Sequence, residues 1–117
     1  MRNLAIAVLG LSVVASPSHA QSTGNGPTIT VTSEIAGPIR AQFQRGMNTP
    51  WTRWSDDVVA HRSTSYQVTG RLAPVSVRVV YVGQGEWRIL CQANAPAGQS
   101  ATLTVRGHPT AATCEMN

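Results

Sequence analysis

From Thr28 onward, apolar residues recur at every second position. Ile29 and Val31 alternate with threonines, Ile39, Ala41 and Phe43 with Arg40 and Gln42, and Tyr66 and Val68 follow the same rule. A strand turns successive side chains to opposite faces, so this period marks extended segments with one face in a core and the other in water. No stretch carries an apolar stripe over three helical turns. The expected fold class is therefore all-β.

The clearest pair of strands lies in the second half. Val75, Val77, Val79 and Tyr81 alternate along one, Trp87, Ile89, Cys91 and Ala93 along the next, with Gly83-Gln84-Gly85 between them. A three-residue hairpin loop commonly ends on a left-handed residue, a place Gly85 can fill. That loop predicts the inward pairs Tyr81–Trp87, Val79–Ile89 and Val77–Cys91, and a slip of one residue would set each inward side chain against an outward one. The outer face then pairs Val82 with Glu86, Val80 with Arg88, and Arg78 with Leu90. Beyond the turn-rich "NAPAGQS", Ala101, Leu103 and Val105 form a further strand, and Ala112, Cys114 and Met116 a short last one.

Residues 1–20 read as a cleaved export signal. Arg2 supplies a short basic start, an apolar run extends from Leu4 to Val14, and Ser18-His19-Ala20 offers a small-x-small cleavage point. The run is about eleven residues, where a bilayer-spanning helix needs roughly twenty. Residues 21–27, "QSTGNGP", form a flexible lead-in, and 28–117 a single domain. Export places the chain in the periplasm or outside the cell, where its two cysteines, Cys91 and Cys114, are expected to be bridged. Closing that loop contributes about 3 kcal/mol.

The bridge also constrains topology. In a plain meander, the strand between the two cysteine-bearing strands would hold them about 9–10 Å apart. Bridged cysteines keep their Cα atoms within about 7 Å. The last strand must therefore lie beside the Cys91 strand or face it from a second sheet, which favours a small antiparallel two-sheet sandwich, immunoglobulin-like in architecture, with about seven short strands.

Charge and chemistry narrow the function classes. Without Arg2, eight arginines stand against Glu34, Asp56, Asp57, Glu86 and Glu115, a formal +3 spread along the chain. Nucleic-acid binders cluster basic residues on one face, so nucleic acid is not an expected partner. The absence of lysine fits the codon bias of a GC-rich bacterial genome. His61 and His108 sit in turns, no paired metal-ligand spacing appears, and no nucleophile frame surrounds any serine. No metal, cofactor or catalytic residue is expected, and a small hydrolase is the least favoured function.

The stretch "ITVTSEIAGPIRAQF", with "WSDDVVAHRSTSYQV" after it, resembles the first strands of small secreted sandwiches, among them those of aegerolysin and thaumatin type. The resemblance covers under half the chain. Thaumatin-like proteins carry many disulfides where this chain has one cysteine pair, and no functional residue is carried over.

Surface recognition has better material. In "PWTRWSDD", a strand would send Trp51 and Trp54 to opposite faces. Arg53 would share the face of Trp51, and an unpaired buried arginine is prohibitive. Trp54 is then expected in the core and Trp51 on the surface, whereas a helical turn would bury both; Ser55-Asp56-Asp57 reads as a turn. A second candidate patch is the hairpin's outer face, Arg78, Val80, Arg88 and Leu90, which is either covered by another segment or free for contact. The expected function is binding of a protein or glycan through Trp51 and Arg53 or through that face. The alternative is a membrane-active, cytolysin-like sandwich.

Overall fold

The computed structural model describes residues 26–70 and 72–117. The expected export signal and most of the expected lead-in lie outside the described residues. Seven strands follow one another: β1 (Thr28–Ser33), β2 (Ile39–Arg45), β3 (Ser63–Gln67), β4 (Val75–Tyr81), β5 (Arg88–Ala95), β6 (Ala101–His108) and β7 (Ala111–Met116). They form two facing sheets, one ordered β3-β1-β6-β7 and the other β2-β4-β5. The all-β two-sheet sandwich expected from the alternation is the observed architecture, with one ladder, β1–β6, running parallel. Such a pair needs a long crossover connection, and here it runs through β2, β4 and β5 of the second sheet and through β3.

The core is the sum of the alternating residues. Ile29 and Val31 from β1, Ile39, Ala41 and Phe43 from β2, Val75, Val77 and Val79 from β4, and Leu103 and Val105 from β6 are buried in one cluster. Ile35, Val58 and Val68, outside the strands, join it, with Ala95 of β5 and Ala101 of β6. The outward positions where β1 meets β3 are mostly small hydroxyls, with Thr30 hydrogen-bonded to Ser65 and Thr32 to Ser63.

The two open edges of the sandwich are closed by different means. On the β2/β3 side the Phe43 and Tyr66 rings stack across the sheets, centroids 5.1 Å apart. On the β5/β7 side Cys91 and Cys114 are bridged, with their Cα atoms 6.5 Å apart. The second of the two topologies allowed by the cysteines is thus the one adopted: the last strand faces the Cys91 strand from the opposite sheet.

The β4–β5 register departs from expectation. Val77 pairs with Ala93 and Val79 with Cys91, but Val80 pairs with Ile89 and Tyr81 with Arg88, so one extra residue, Leu90, is accommodated in β5. A bulge of this kind reverses the facing of everything on one side of it. Leu90 and Cys91 both pack on the core. Ile89 and Trp87, expected inward, are instead 64% and 57% exposed. Gly85 takes the expected left-handed conformation, with φ +76°, but the connection is longer than three residues, since β4 ends at Tyr81 and β5 begins at Arg88. At the same end of the sandwich a Cβ on Gly37 would come within 2.6 Å of the Tyr81 ring, and one on Gly83 would collide with its hydroxyl. Glycine at both positions lets Tyr81 cap the core.

Candidate functional site

Between β2 and β3 the chain forms a strap over residues 51–58 that lies along the free edge of β2. Thr52 N–H donates to Phe43 C=O, Ser55 N–H to Ala41 C=O and Val58 N–H to Ile39 C=O, each at 2.8 Å. The β2 amides are answered partly by side chains: Phe43 N–H donates to Thr52 Oγ1 at 2.9 Å and Ala41 N–H to Ser55 Oγ at 3.0 Å. The strap therefore advances three residues for every two of β2. Its repeat is three, not two.

That repeat decides where the tryptophans go. Positions 51, 54 and 57 share one side, which folds over the outer face of the three-stranded sheet. The Arg78 guanidinium lies 4.2 Å from the centroid of the Trp51 ring. Trp54 meets Trp87 edge to face at 5.5 Å, and Arg40 lies 5.6 Å from the Trp87 centroid. Asp57 accepts a hydrogen bond from Arg40 Nε at 2.6 Å, so the third member of the series joins the same layer. Arg78 also donates to Gln42 Oε1 at 2.9 Å, and Gln42 Nε2 donates to Thr52 C=O at 3.2 Å, which ties the strap to the middle of the sheet.

The expected division of the pair, Trp54 in the core and Trp51 on the surface beside Arg53, is corrected. Both tryptophans are half-buried on the outer face, and Arg53, two positions from Trp51 in a three-residue repeat, projects into solvent. The choice between strand and helical turn omitted the conformation the chain takes. Ser55 and Asp57, expected to form a turn, serve as strap contacts to β2.

The second candidate patch is also redistributed. Arg78 does lie on the outer face, under Trp51. Val80 lies there too, between Arg40 and Ile89 in the register, yet it is only 3% exposed and stands outside the core cluster. Of the two possibilities for this face, covered or free, its upper part is covered, and the strap does the covering. Leu90 is turned to the core by the bulge. Arg88 shares the facing of Tyr81 and pairs with Glu86 at 2.8 Å at the rim of a separate cleft of about 400 Å³.

Trp54, Trp87 and Ile89, expected inward, and Arg40, given no role, belong to the outer layer. The signal that could have found two of them is Ile89-Leu90-Cys91, an uninterrupted apolar run in a segment that otherwise alternates, which a bulge accommodates. The layer now reads as a ridge of three tryptophans and Ile89, interleaved with Arg40 and Arg78.

Neither histidine contacts a carboxylate among the described residues. The His108 ring nitrogen Nδ1 is engaged by Thr110 Oγ1 at 2.8 Å. No group of three potential metal-ligating side chains occurs among the described residues. No helix of the described residues is long and apolar enough to cross a membrane.

The strap is a testable unit. Thr52→Val or Ser55→Ala leaves a β2 amide without its acceptor, which costs about 1–3 kcal/mol for a buried donor and less for these half-buried ones. Each variant is expected to lose about 1 kcal/mol in denaturant unfolding, and the strap, freed at one point, to be cut faster by trypsin after Arg53. An unchanged cleavage rate would show that the tryptophans alone hold the strap.

No protein-family model matches the chain, and no curated protein matches its sequence. Its fold, however, occurs in solved structures of bacterial toxins. Wild-type pneumolysin is similar over 79% of this chain with 15% identity and a TM-score of 0.56. A Gram-negative toxin is similar over 80% with 15% identity and 0.57, and the human-specific toxin intermedilysin over 78% with 18% identity and 0.55. In each case the match covers 23% of the toxin's chain, so this protein spans about a quarter of their length. At such identities the likeness is one of fold.

Proposed function

We propose that this is an exported β-sandwich domain that binds a membrane surface, cytolysin-like in its mode of contact, through the outer face of the three-stranded sheet. The observation that carries this reading is the ridge itself. Trp87, just before β5, and Ile89 on it stand 57% and 64% exposed, with Trp87 backed by Trp54 and flanked by Arg40. Tryptophan has an apolar body and a polar N–H, which suits the headgroup level of a bilayer. Arginine supplies paired donors for phosphate oxygens. The formal +3 of the chain after the export signal would favour anionic lipid over a range set by the ionic strength.

The fold likeness supports the same reading. Pneumolysin is described in a membrane pore complex and also as a sugar-binding protein, and a disulfide-locked intermedilysin is described with human CD59. A chain a quarter as long is proposed to share surface contact, not the building of a pore. A protein partner at Trp51, Arg53 and Arg78 is the weaker reading, because Arg78 is already covered by Trp51. No catalytic role is proposed. The cross-sheet disulfide supports an oxidising compartment, either the periplasm or the cell exterior.

The test is co-sedimentation with vesicles of phosphatidylcholine and phosphatidylserine, read together with tryptophan emission. Binding with a blue shift is expected. Burying what Trp87 and Ile89 expose, on the order of 200 Å², is about 5 kcal/mol before the costs of association. The double variant Trp87→Ala/Ile89→Ser, altered only at exposed positions, is therefore expected to bind at least tenfold more weakly. Failure of the wild type to sediment at micromolar protein would overturn the proposal.

A further inference from the structure

The lower half of the same sheet face has a different chemistry. Beside Arg78 the outward position of β5 is Gln92, and below it those of β2, β4 and β5 are Gln44, Ser76 and Asn94; with Gly46, Met47 and Pro74 these line a groove of about 630 Å³. Among the described residues no charged side chain lines it. Its polar groups are carboxamides and a hydroxyl, each able to donate and to accept. Ser76 Oγ donates to Asn94 Oδ1 at 2.8 Å, which leaves the Asn94 NH₂ pointing elsewhere, and Gln44 Nε2 is held by Thr49 C=O at 2.9 Å. The Gln92 carboxamide has no hydrogen-bond partner among the described residues. Met47, 90% exposed, and Pro74 add apolar surface at the rim.

We infer that this groove binds a neutral saccharide. Sugar hydroxyls both donate and accept, which matches carboxamides better than it matches fixed charges, and the C–H face of a pyranose ring can lie on Met47 and Pro74. An uncharged lining disfavours a phosphate or a carboxylate ligand. An extended peptide is also disfavoured, because the floor is a sheet face: β4 is central, its ladders to β2 and β5 are filled, and it offers no free backbone groups for strand addition. Arg78 lies between Gln42 and Gln92 in the register, so the groove ends upward at the Trp51–Arg78 pair. The groove would hold a saccharide whether or not the ridge meets a membrane.

The experiment is a titration of the folded domain, followed by NMR of the side-chain NH₂ groups, with neutral hexasaccharides of glucose, mannose and N-acetylglucosamine and with an uncharged hexapeptide. At least one saccharide is expected to shift the Gln92 and Asn94 NH₂ signals at millimolar concentration or below. Gln92→Ala, which removes no hydrogen bond of the fold, is expected to weaken that response at least fivefold, and Asn94→Ala to do likewise. Shifts with the peptide alone, with none of the saccharides, or undiminished in Gln92→Ala would overturn the inference. Vesicle binding of Gln92→Ala, and saccharide shifts of Trp87→Ala/Ile89→Ser, read the two surfaces separately. A failure of one is thereby distinguished from a failure of the other.

Discussion

Phe43→Ala is expected to destabilise the domain by about 3–5 kcal/mol, a large part of the 5–15 kcal/mol that a domain commonly has. Phe43 is the only phenylalanine of the chain, 4% exposed, and it reaches from β2 across the sandwich to stack on Tyr66 of β3. Truncation removes the transfer free energy of the ring and leaves a cavity between two sheets that cannot collapse without sliding. The same edge carries the strap, since the Phe43 backbone accepts from Thr52 N–H and donates to Thr52 Oγ1. Loss of the ring is therefore expected to loosen Trp51 as well, which tryptophan emission would report. Phe43→Leu, which keeps much of the volume, should recover most of the stability in denaturant unfolding. A loss below about 1 kcal/mol for Phe43→Ala would show that the edge is held by the strap and not by the ring pair.

Reduction of the Cys91–Cys114 bond is expected to cost about 3 kcal/mol, from the loop entropy returned to the unfolded chain. For a domain of this size that lowers Tm by roughly 12–24 °C, readable by circular dichroism with and without dithiothreitol. The bond joins β5 at the edge of one sheet to β7 at the edge of the other, with a sequence separation of 23. It also has a local consequence. Cys91 sits directly after the bulge that turns Ile89 and Trp87 outward. With both cysteines reduced, β5 is free to slip toward the unbulged pairing that would bury Trp87. The reduced protein, or Cys91→Ser/Cys114→Ser, should accordingly bind vesicles more weakly than its melting curve alone explains at 25 °C. Unaltered vesicle binding after full reduction would mean that the bulge is held by Leu90 in the core.

These two clamps show how much of the fold was legible from residues alone. The period of two located all seven strands, because burial of one face is a local demand that each strand meets independently. The cysteine pair narrowed the topology to two arrangements through a simple distance limit. The β4–β5 register was not legible in the same way. The alternation of Val75, Val77, Val79 and Tyr81 admitted a regular partner with Leu90 outward, and only the packed sandwich, which draws both Leu90 and Cys91 to the core, required the inserted residue.

The site was less legible than the fold. Trp51 and Trp54 were assigned opposite fates on the assumption of a strand, and a strand or a helix exhausts the regular choices. The strap is neither, because Thr52 and Ser55 use their hydroxyls as acceptors for the amides of β2 and so compress three residues into the length of two. No local preference in "PWTRWSDD" encodes that repeat; it exists only against the edge of β2.

By itself, then, the sequence determined an all-β chain, its strands, the inward faces of all but the bulged Cys91 strand, and a cross-link between the Cys91 and Cys114 strands. Those follow from period, composition and covalent reach, which act over a few residues or through a single bond. Only the tertiary structure decided that three distant tryptophans share one surface and that an uncharged carboxamide groove lies below them. A surface is made of neighbours in space, and here those neighbours come from β2, the strap, β4 and β5, brought together by sheet pairing and by one bulged residue.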